Sequence, residues 1–496
     1  MSEIFFITST LPKIHGGRTK SLLQRAYLLN KNGVGLTILS TNYNPEYQNV
    51  YSFFREQKKV LSNTHFENIY DFYKESSLVE ENKKSWESFL YSEVGDKSDY
   101  IEVKRSTKSN LIYFYRDGVP KFVVKESQNK NVPVFFSLFH DWNFNPYKKF
   151  LINQEGIVHR IDTYNNKNKI VYREYLNEEG RCYLTKKYDQ KGKIDYISLD
   201  IKNGTEKFSS EKEFMAYFFN QIFAEDDVVI NDARLLDIPL LNTRVKKRIF
   251  QLHSSHLIDS LNTKSGIKKS YSHVLNSKFP SKDIIVSLTN QQKLDIVSEF
   301  PNLKNNIVVI PHSTNIKKSI YNQKENHFGI ISRLDPMKNI EDAIQAFYLF
   351  NQEKPGFLLD IYGNGESFEK LNLLTKSLNI DKQVIFHGNV QDVDKAYQQI
   401  FALLITSKVE GFALMALESI ANGTPVITYK VNYGPTDIID NDSGWISEFR
   451  TPESLKEQMF NAVKKPKERS LVKKRALEFS ESVFVNKWLG VINDNE

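Results

Sequence analysis

Cysteine is nearly absent: Cys182 is the only one in 496 residues. A single thiol excludes an internal disulfide and a cysteine-based zinc site. Long apolar runs are missing too, and no stretch approaches the ~20 residues of a membrane-spanning helix. Met1-Ser2-Glu3-Ile4 puts an acid where a secretory signal carries positive charge, and the apolar run Ile4 to Ile7 is too short for its hydrophobic region. These absences predict a reduced, cytoplasmic protein. A strong charge imbalance is lacking as well. The 67 Lys and Arg against 60 Asp and Glu leave +7, and no basic stripe interleaved with aromatics marks a nucleic-acid binder. The modest excess suits an acidic substrate or an anionic surface. It gathers at Arg244-Val245-Lys246-Lys247-Arg248 and from Lys464 to Arg475, which read either as contact sites for a polyanion or as solvated faces.

The length exceeds one ordinary core, so two or three domains are expected. With 40% hydrophobic and 26% charged residues, the chain has a globular balance rather than a disordered one. Ile4-Phe5-Phe6-Ile7-Thr8 reads as a buried strand, and a loop runs from Leu11 to Gly17. Leu22, Leu23, Ala26 and Leu29 then recur at helical spacing, and a second strand starts at Gly35. Strand, glycine loop, helix, strand is the opening of a parallel α/β domain. Between about residues 100 and 205 the pattern changes to short aromatic and β-branched runs, such as Ile112-Tyr113-Phe114-Tyr115 and Val171-Tyr172-Arg173-Glu174-Tyr175. Asp117-Gly118, Glu179-Gly180 and Lys191-Gly192 punctuate them as hairpin signals. Strands and helices then alternate again through Pro425-Val426-Ile427-Thr428, the rhythm of a doubly wound sheet. The predicted division is a discontinuous α/β domain over 1–70 and 210–310, a β-rich insert over 71–209, a second α/β domain over 311–480 and a terminal helix over 481–496.

Four constellations carry chemistry. Gly16-Gly17 lies between the first strand and helix, where backbone N–H groups and a helix start favour a phosphate; a plain turn explains the pair as well. Ser332-Arg333-Leu334-Asp335-Pro336-Met337-Lys338-Asn339 follows a strand, so Arg333 and Lys338 sit at the carboxyl end of a sheet, where open α/β folds bind ligands. Two cations there can hold a diphosphate and stabilise its departure. Alone, the segment reads as a solvated loop. In Glu410-Gly411-Phe412-Ala413-Leu414-Met415-Ala416-Leu417-Glu418, two carboxylates flank a loop-to-helix junction, with the N–H groups of Phe412, Ala413 and Leu414 free at the helix start. Glu418 falls among apolar neighbours, a desolvation problem unless something such as ribose hydroxyls satisfies it. His253 and His256 follow a strand. Two histidines without a nearby carboxylate or cysteine are too few for a metal, so His253 reads as a hydrogen-bonding residue and His256 as a structurally satisfied one. Gly363-Asn364-Gly365 lacks the third glycine of a dinucleotide fingerprint and reads as a turn.

Taken in order, these pieces resemble family 4 retaining glycosyltransferases with the GT-B fold. The match is most specific over roughly residues 325–450: the Arg333–Lys338 pair, the Tyr362-Gly363-Asn364-Gly365 turn, His387-Gly388-Asn389-Val390 and the Glu410 to Glu418 run. More narrowly, the chain is similar to the Gram-positive branch with a β-rich insert in the first domain. That branch includes teichoic-acid α-GlcNAc transferases and the enzymes that glycosylate serine-rich or Ser-Asp-repeat adhesins. Gly16-Gly17, the His-x-x-His segment and Tyr433-Gly434-Pro435 fit it.

The resemblance implies two Rossmann-like domains and transfer of GlcNAc or Glc from a UDP-sugar to hydroxyls of a polyanionic acceptor. It implies Gly17 near the β-phosphate with Gly16 beside it in the nucleotide-sugar site, Arg333 and Lys338 on the diphosphate and Glu418 on the ribose. Backbone at Asn389 and Val390 faces the uracil, Glu410 contacts the donor sugar and His253 bonds to it near the reacting carbon. The expected donor site needs no cofactor and no metal. Homo-oligomerisation through the insert and peripheral association with the inner face of a membrane are further expectations. A non-catalytic acceptor-binding co-subunit is the alternative, and the presence of Arg333, Lys338, Glu410 and Glu418 disfavours it. A glycan phosphorylase needs a pyridoxal lysine site, which the sequence does not offer.

Overall fold

The computed structural model describes residues 2–14, 16–79, 82–104, 110–128, 132–140, 142–202, 204–316 and 324–493. The chain divides into two compact units. The first comprises Met1–Ile14, Leu36–Asp227 and Ile238–Val245; the second comprises His15–Gly35, Val228–Asp237 and Lys246–Glu496.

In the first unit, strands Ile4–Thr8, Thr37–Ser40 and His65–Asn68 pair in parallel, with Phe5 opposite Thr37 and Thr37 opposite His65. The nearly unbroken burial of the first two is what a sheet covered on both faces demands. Asn68 then caps helix Ile69–Ser76, its side-chain oxygen accepting from the N–H groups of Tyr70 and Asp71. After helix Trp86–Val94 come ten antiparallel strands, from Ile101–Lys104 to Gly204–Phe208, in sequential order across one sheet. Aromatic cross-strand pairs fix its register. Phe114 lies opposite Phe122 and Phe136 opposite Phe150, each pair stacked with ring centroids 4.3 Å apart. Phe89 and Leu90 of helix Trp86–Val94 join the same core. The antiparallel strands thus begin at Ile101, and the part of the expected β-rich stretch ahead of them contains helices.

The second unit contains helix Gly17–Lys31 and two parallel sheets' worth of strands. Val228–Asn231, Lys247–Gln251, Ile284–Ser287 and Ile307–Val309 pair consecutively. A six-stranded sheet follows, in spatial order Val384–Gly388, Leu358–Tyr362, His327–Ile331, Ala402–Ile405, Val426–Tyr429, Gly444–Ser447. Phe328, Ile330, Leu359 and Ile361 pack against Ile344 and Phe347 of helix Ile340–Glu353. The last strand, Gly444–Ser447, is too short and too polar at its ends to stand out in the sequence. Strand order reverses between His327–Ile331 and Ala402–Ile405. The connections leaving those two strands diverge, opening a crevice at their carboxyl ends.

The Arg244–Arg248 cluster is not the exposed basic patch its composition suggests. Lys247 and Arg248 are buried in strand Lys247–Gln251. Arg248 Nε donates to Asp283 Oδ2 at 2.8 Å, and Lys247 Nζ donates to the Val491 carbonyl at 2.8 Å. Only Arg244 and Lys246 of the five face solvent as charges. In the second cluster Arg475 is likewise turned inward, onto the carbonyls of Ile438 and Asp437.

Candidate active site

The crevice of the six-stranded sheet is where two of the sequence's constellations meet. The loop after His327–Ile331 carries Arg333 and Lys338, and the loop after Ala402–Ile405 carries Glu410. Backbone and side-chain bonds tie the loops together: Lys408 N–H donates to the Met337 carbonyl at 2.8 Å, and Thr406 Oγ1 to the Lys338 carbonyl at 3.1 Å. Across this seam Lys338 Nζ meets Glu410 Oε1 at 2.6 Å, with only 15% and 11% of the two side chains exposed. A pair so enclosed is costly to break from one side, because the remaining charge is left desolvated. Arg333 differs. Its side chain is 82% exposed, with Asp335 at 3.2 Å as its ion-pair partner. The two cations predicted to act together are therefore one preorganised and one outstretched.

Glu410 leads into Gly411, which packs directly on the loop after Lys247–Gln251. A Cβ at Gly411 would sit 2.2 Å from the His253 carbonyl oxygen and 3.0 Å from Ser254 Cα. The same device recurs beside it, where a Cβ at Gly434 would sit 2.4 Å from the Phe412 carbonyl oxygen. Ala413 takes a left-handed turn, φ 64°, before helix Leu414–Ala421 begins. Glu418 lies one turn in. It is not the unsatisfied carboxylate expected among apolar neighbours: 30% of its side chain is exposed, Lys20 Nζ reaches Oε1 at 2.6 Å, and the Tyr397 hydroxyl donates to Oε2 at 3.1 Å.

Lys20 belongs to helix Gly17–Lys31, whose N-cap is Gly16. No side chain caps this helix, and its first turn holds no acid. Its start is thus open to an anion. Gly17 lies close to Leu414, since an added Cβ would come within 3.9 Å of Leu414 Cδ1. Asn389 and Val390 follow strand Val384–Gly388, Asn389 exposed and Val390 half-buried. Val390 packs at the margin of the core that contains Phe412, Ala413 and Leu417.

His253 is held by partners the sequence did not announce. Its Nε2 lies 2.6 Å from Asp232 Oδ1. Asp232, fully buried, takes Arg25 on its other oxygen. Arg25, also buried, reaches Gln251 Oε1 at 3.4 Å and lies 4.6 Å over the ring of Trp488. Burial alone would raise the Asp232 carboxyl, but Arg25 and His253 hold it down at about 2. Burial lowers His253 despite its hydrogen bond to Asp232, so the ring stays neutral beside the carboxylate. His312 stacks 6.2 Å from His253 and edge-on to Phe412 at 5.2 Å; burial pushes it down to about 3. His256 reverses its expected role. It is fully buried, and neither ring nitrogen has a hydrogen-bond partner among the described residues; it stacks on Tyr433 instead. No group of three or more metal-ligating side chains occurs among the described residues.

Residues 312–479 match the family model described as Glycosyl transferases group 1. With its two sets of parallel strands and its antiparallel module, the chain has the GT-B fold, and residues 312–479 carry the glycosyltransferase match. Over 99% of its length it is homologous to two curated enzymes. It is 24% identical to the poly(glycerol-phosphate) alpha-glucosyltransferase of Bacillus subtilis, covering 75% of that protein. It is 23% identical to the poly(ribitol-phosphate) alpha-N-acetylglucosaminyltransferase of Staphylococcus aureus, covering 100% of it. The fold superimposes on a variant of S. aureus TarM crystallised with fondaparinux, alpha-GlcNAc-glycerol and UDP: TM-score 0.83 at 21% identity, covering 99% of this chain and 100% of that one.

Proposed function

We propose that the protein transfers GlcNAc or glucose from a UDP-sugar to hydroxyls of a polyol-phosphate polymer. The observation that carries this is the enclosed Lys338–Glu410 pair at the sheet's reversal point, with Arg333 beside it in sequence. Cations there suit a departing diphosphate, and the adjoining carboxylate suits the hydroxyls of its sugar. In this reading Gly16 and Gly17 open the helix start to phosphate, and Glu418 with Lys20 addresses the ribose. The backbone at Asn389 and Val390 borders the base. The N–H groups of Phe412, Ala413 and Leu414 lie toward the diphosphate, and His253 lies at the sugar.

Similarity over 99% of this chain to two polyol-phosphate glycosyltransferases supports a polyol-phosphate acceptor over a Ser-Asp-rich adhesin. Both relatives are named as alpha transferases. An alpha product from an alpha-linked UDP-sugar is retention, which supports a same-face displacement in which the leaving diphosphate helps take the acceptor proton. The charge on that leaving group can be met by Arg333, Lys338 and helix-start N–H groups, so the reaction is proposed to need no metal and no cofactor. The antiparallel module is proposed to mediate self-association and to steady a long acceptor. A cytoplasmic location at the membrane's inner face is part of the same proposal. No helix among the described residues is long and apolar enough to cross a membrane.

The test is to incubate the protein with UDP-GlcNAc or UDP-Glc against poly(ribitol phosphate), poly(glycerol phosphate) and a Ser-Asp-rich polypeptide, and to weigh the products. A mass gain of one hexose or N-acetylhexosamine on a polyol phosphate is expected. Transfer to the polypeptide alone would redirect the acceptor assignment, and no UDP release with any combination would end it.

A further inference from the structure

Asp232 belongs to no sequence motif, yet its carboxylate is fully enclosed beside His253. It follows strand Val228–Asn231, next to strand Lys247–Gln251, whose C-terminal extension carries His253. The two side chains are 0% and 15% exposed, and they meet at 2.6 Å. A carboxylate that stays ionised can only accept a hydrogen bond. The proton in this bond must therefore sit on His253 Nε2. A neutral imidazole has one N–H, so Nδ1 keeps its lone pair. The second oxygen of Asp232 is occupied by Arg25, which fixes the carboxylate in place. Arg25 in turn is backed by the Trp488 ring of helix Glu481–Asn493 and by Gln251. If the ring turned away, one buried oxygen of Asp232 would lose its hydrogen bond while Arg25 kept the other, and that loss holds the ring in this orientation.

Resting on the transferase reading above, we propose that Asp232 is a positioning residue that locks His253 with its Nε2 proton turned inward and its Nδ1 lone pair offered to the donor sugar. His253 is then an acceptor for a sugar hydroxyl rather than a donor to a sugar oxygen. The arrangement also sets a specificity. A donor sugar bearing a carboxylate in place of that hydroxyl brings no proton to the lone pair and adds like charge near Asp232.

The experiment is a double-mutant cycle on the full chain, reading kcat, KM for the UDP-sugar and Kd for UDP. Asp232→Asn is expected to lower kcat 10- to 100-fold while UDP affinity stays within twofold. In a His253→Ala background the same substitution is expected to change kcat less than twofold, because the side chain it positions is gone. If Asp232→Asn costs the same factor in both backgrounds, or nothing in the wild type, the proposal is overturned. Should Asp232→Asn fail to fold for want of a partner to Arg25, Arg25→Met/Asp232→Asn removes both charges together, and the same comparison is made with it. Imidazole ¹⁵N spectra of the neutral ring at alkaline pH give an independent reading on the wild type, with His253→Ala identifying the signals: Nε2 should carry the proton, and a proton on Nδ1 overturns the assignment. The two levels separate cleanly. A His253→Ala variant as fast as wild type removes His253 from the transfer site. A slow His253→Ala beside a fully active Asp232→Asn removes only the role of Asp232.

Discussion

Gly411 joins the loop of Glu410 to the loop of His253, and Gly411→Ala tests whether that junction sets activity. The added methyl would sit 2.2 Å from the His253 carbonyl oxygen and 3.0 Å from Ser254 Cα. That is roughly 1 Å short of an ordinary carbon–oxygen contact of about 3.3 Å. The obstacle is backbone on both sides, so no side chain can swing aside to absorb it. One loop must move by about 1 Å, and overpacking of this kind typically costs 1–3 kcal/mol. For a chain this long, with its two units, that corresponds to a fall of a few degrees in the transition of the second unit. Activity should suffer more. A misplacement of about 1 Å between groups that act on one substrate can cost about 100-fold, and here it separates Glu410 and Lys338 from His253. UDP affinity should change far less than turnover, because the proposed ribose and base contacts at Glu418, Asn389 and Val390 lie elsewhere. The assay is kcat with saturating donor beside UDP binding by calorimetry and thermal unfolding. A Gly411→Ala protein with wild-type kcat and wild-type melting would refute both the close approach and the coupling drawn from it.

Arg333→Ala should leave thermal stability unchanged, since the side chain is mostly exposed, while cutting kcat by about 100-fold or more if it meets transition-state charge; equal turnover in the variant removes it from the site. Lys338→Met should do both kinds of damage, because it strands Glu410 in an enclosed position, and Lys338→Met/Glu410→Gln should recover stability but not turnover. Asp237 supplies a pH signature. Burial, only partly offset by Arg234 and Asn231, raises its carboxyl to about 7. The folded state therefore holds a proton that the unfolded state loses near 4, so this group's contribution to stability falls as pH rises from about 4 to about 7 and is flat above. Asp237→Asn should flatten that part of the stability curve and raise melting at pH 8; a wild-type curve that climbs through the window in parallel with the variant's contradicts it. Finally, transfer should survive EDTA without loss of rate, and inactivation reversed by Mg²⁺ or Mn²⁺ would place a metal in the reaction.

The parts of this protein that were legible in the sequence are those where local pattern and tertiary role coincide. His327–Ile331 and Ala402–Ile405 are short apolar runs bounded by turns, and the structure has strands with those bounds. The aromatic runs of the antiparallel module announced strands because Phe114, Phe122, Phe136 and Phe150 alternate inward. Charge was harder to read. Lys247 and Arg248 look like any basic surface pair until a strand is known to bury them against Asp283 and the Val491 carbonyl. Glu418 looked desolvated because its neighbours in sequence are apolar, whereas its partner Lys20 lies 398 positions away. Such pairings are made by topology, and no local window contains them.

Arg25 shows the signal that was available and where it stops. It stands among Leu22, Leu23, Ala26 and Leu29, on a helix whose apolar face was plain from spacing. A guanidinium on that face must find a buried acid or leave a charge unpaired at a cost of several kcal/mol. The sequence therefore demands a carboxylate partner without saying which of 60 acids it is. Asp232, just past strand Val228–Asn231, fills that demand, and the pairing of that strand with Lys247–Gln251 gives its other oxygen to His253. One structural requirement, the neutralisation of a buried arginine, thereby fixes the orientation of a histidine at the proposed sugar site. Residues that satisfy a fold and residues that tune a reaction are here the same residues, which is why a reading confined to motifs found His253 and missed what holds it.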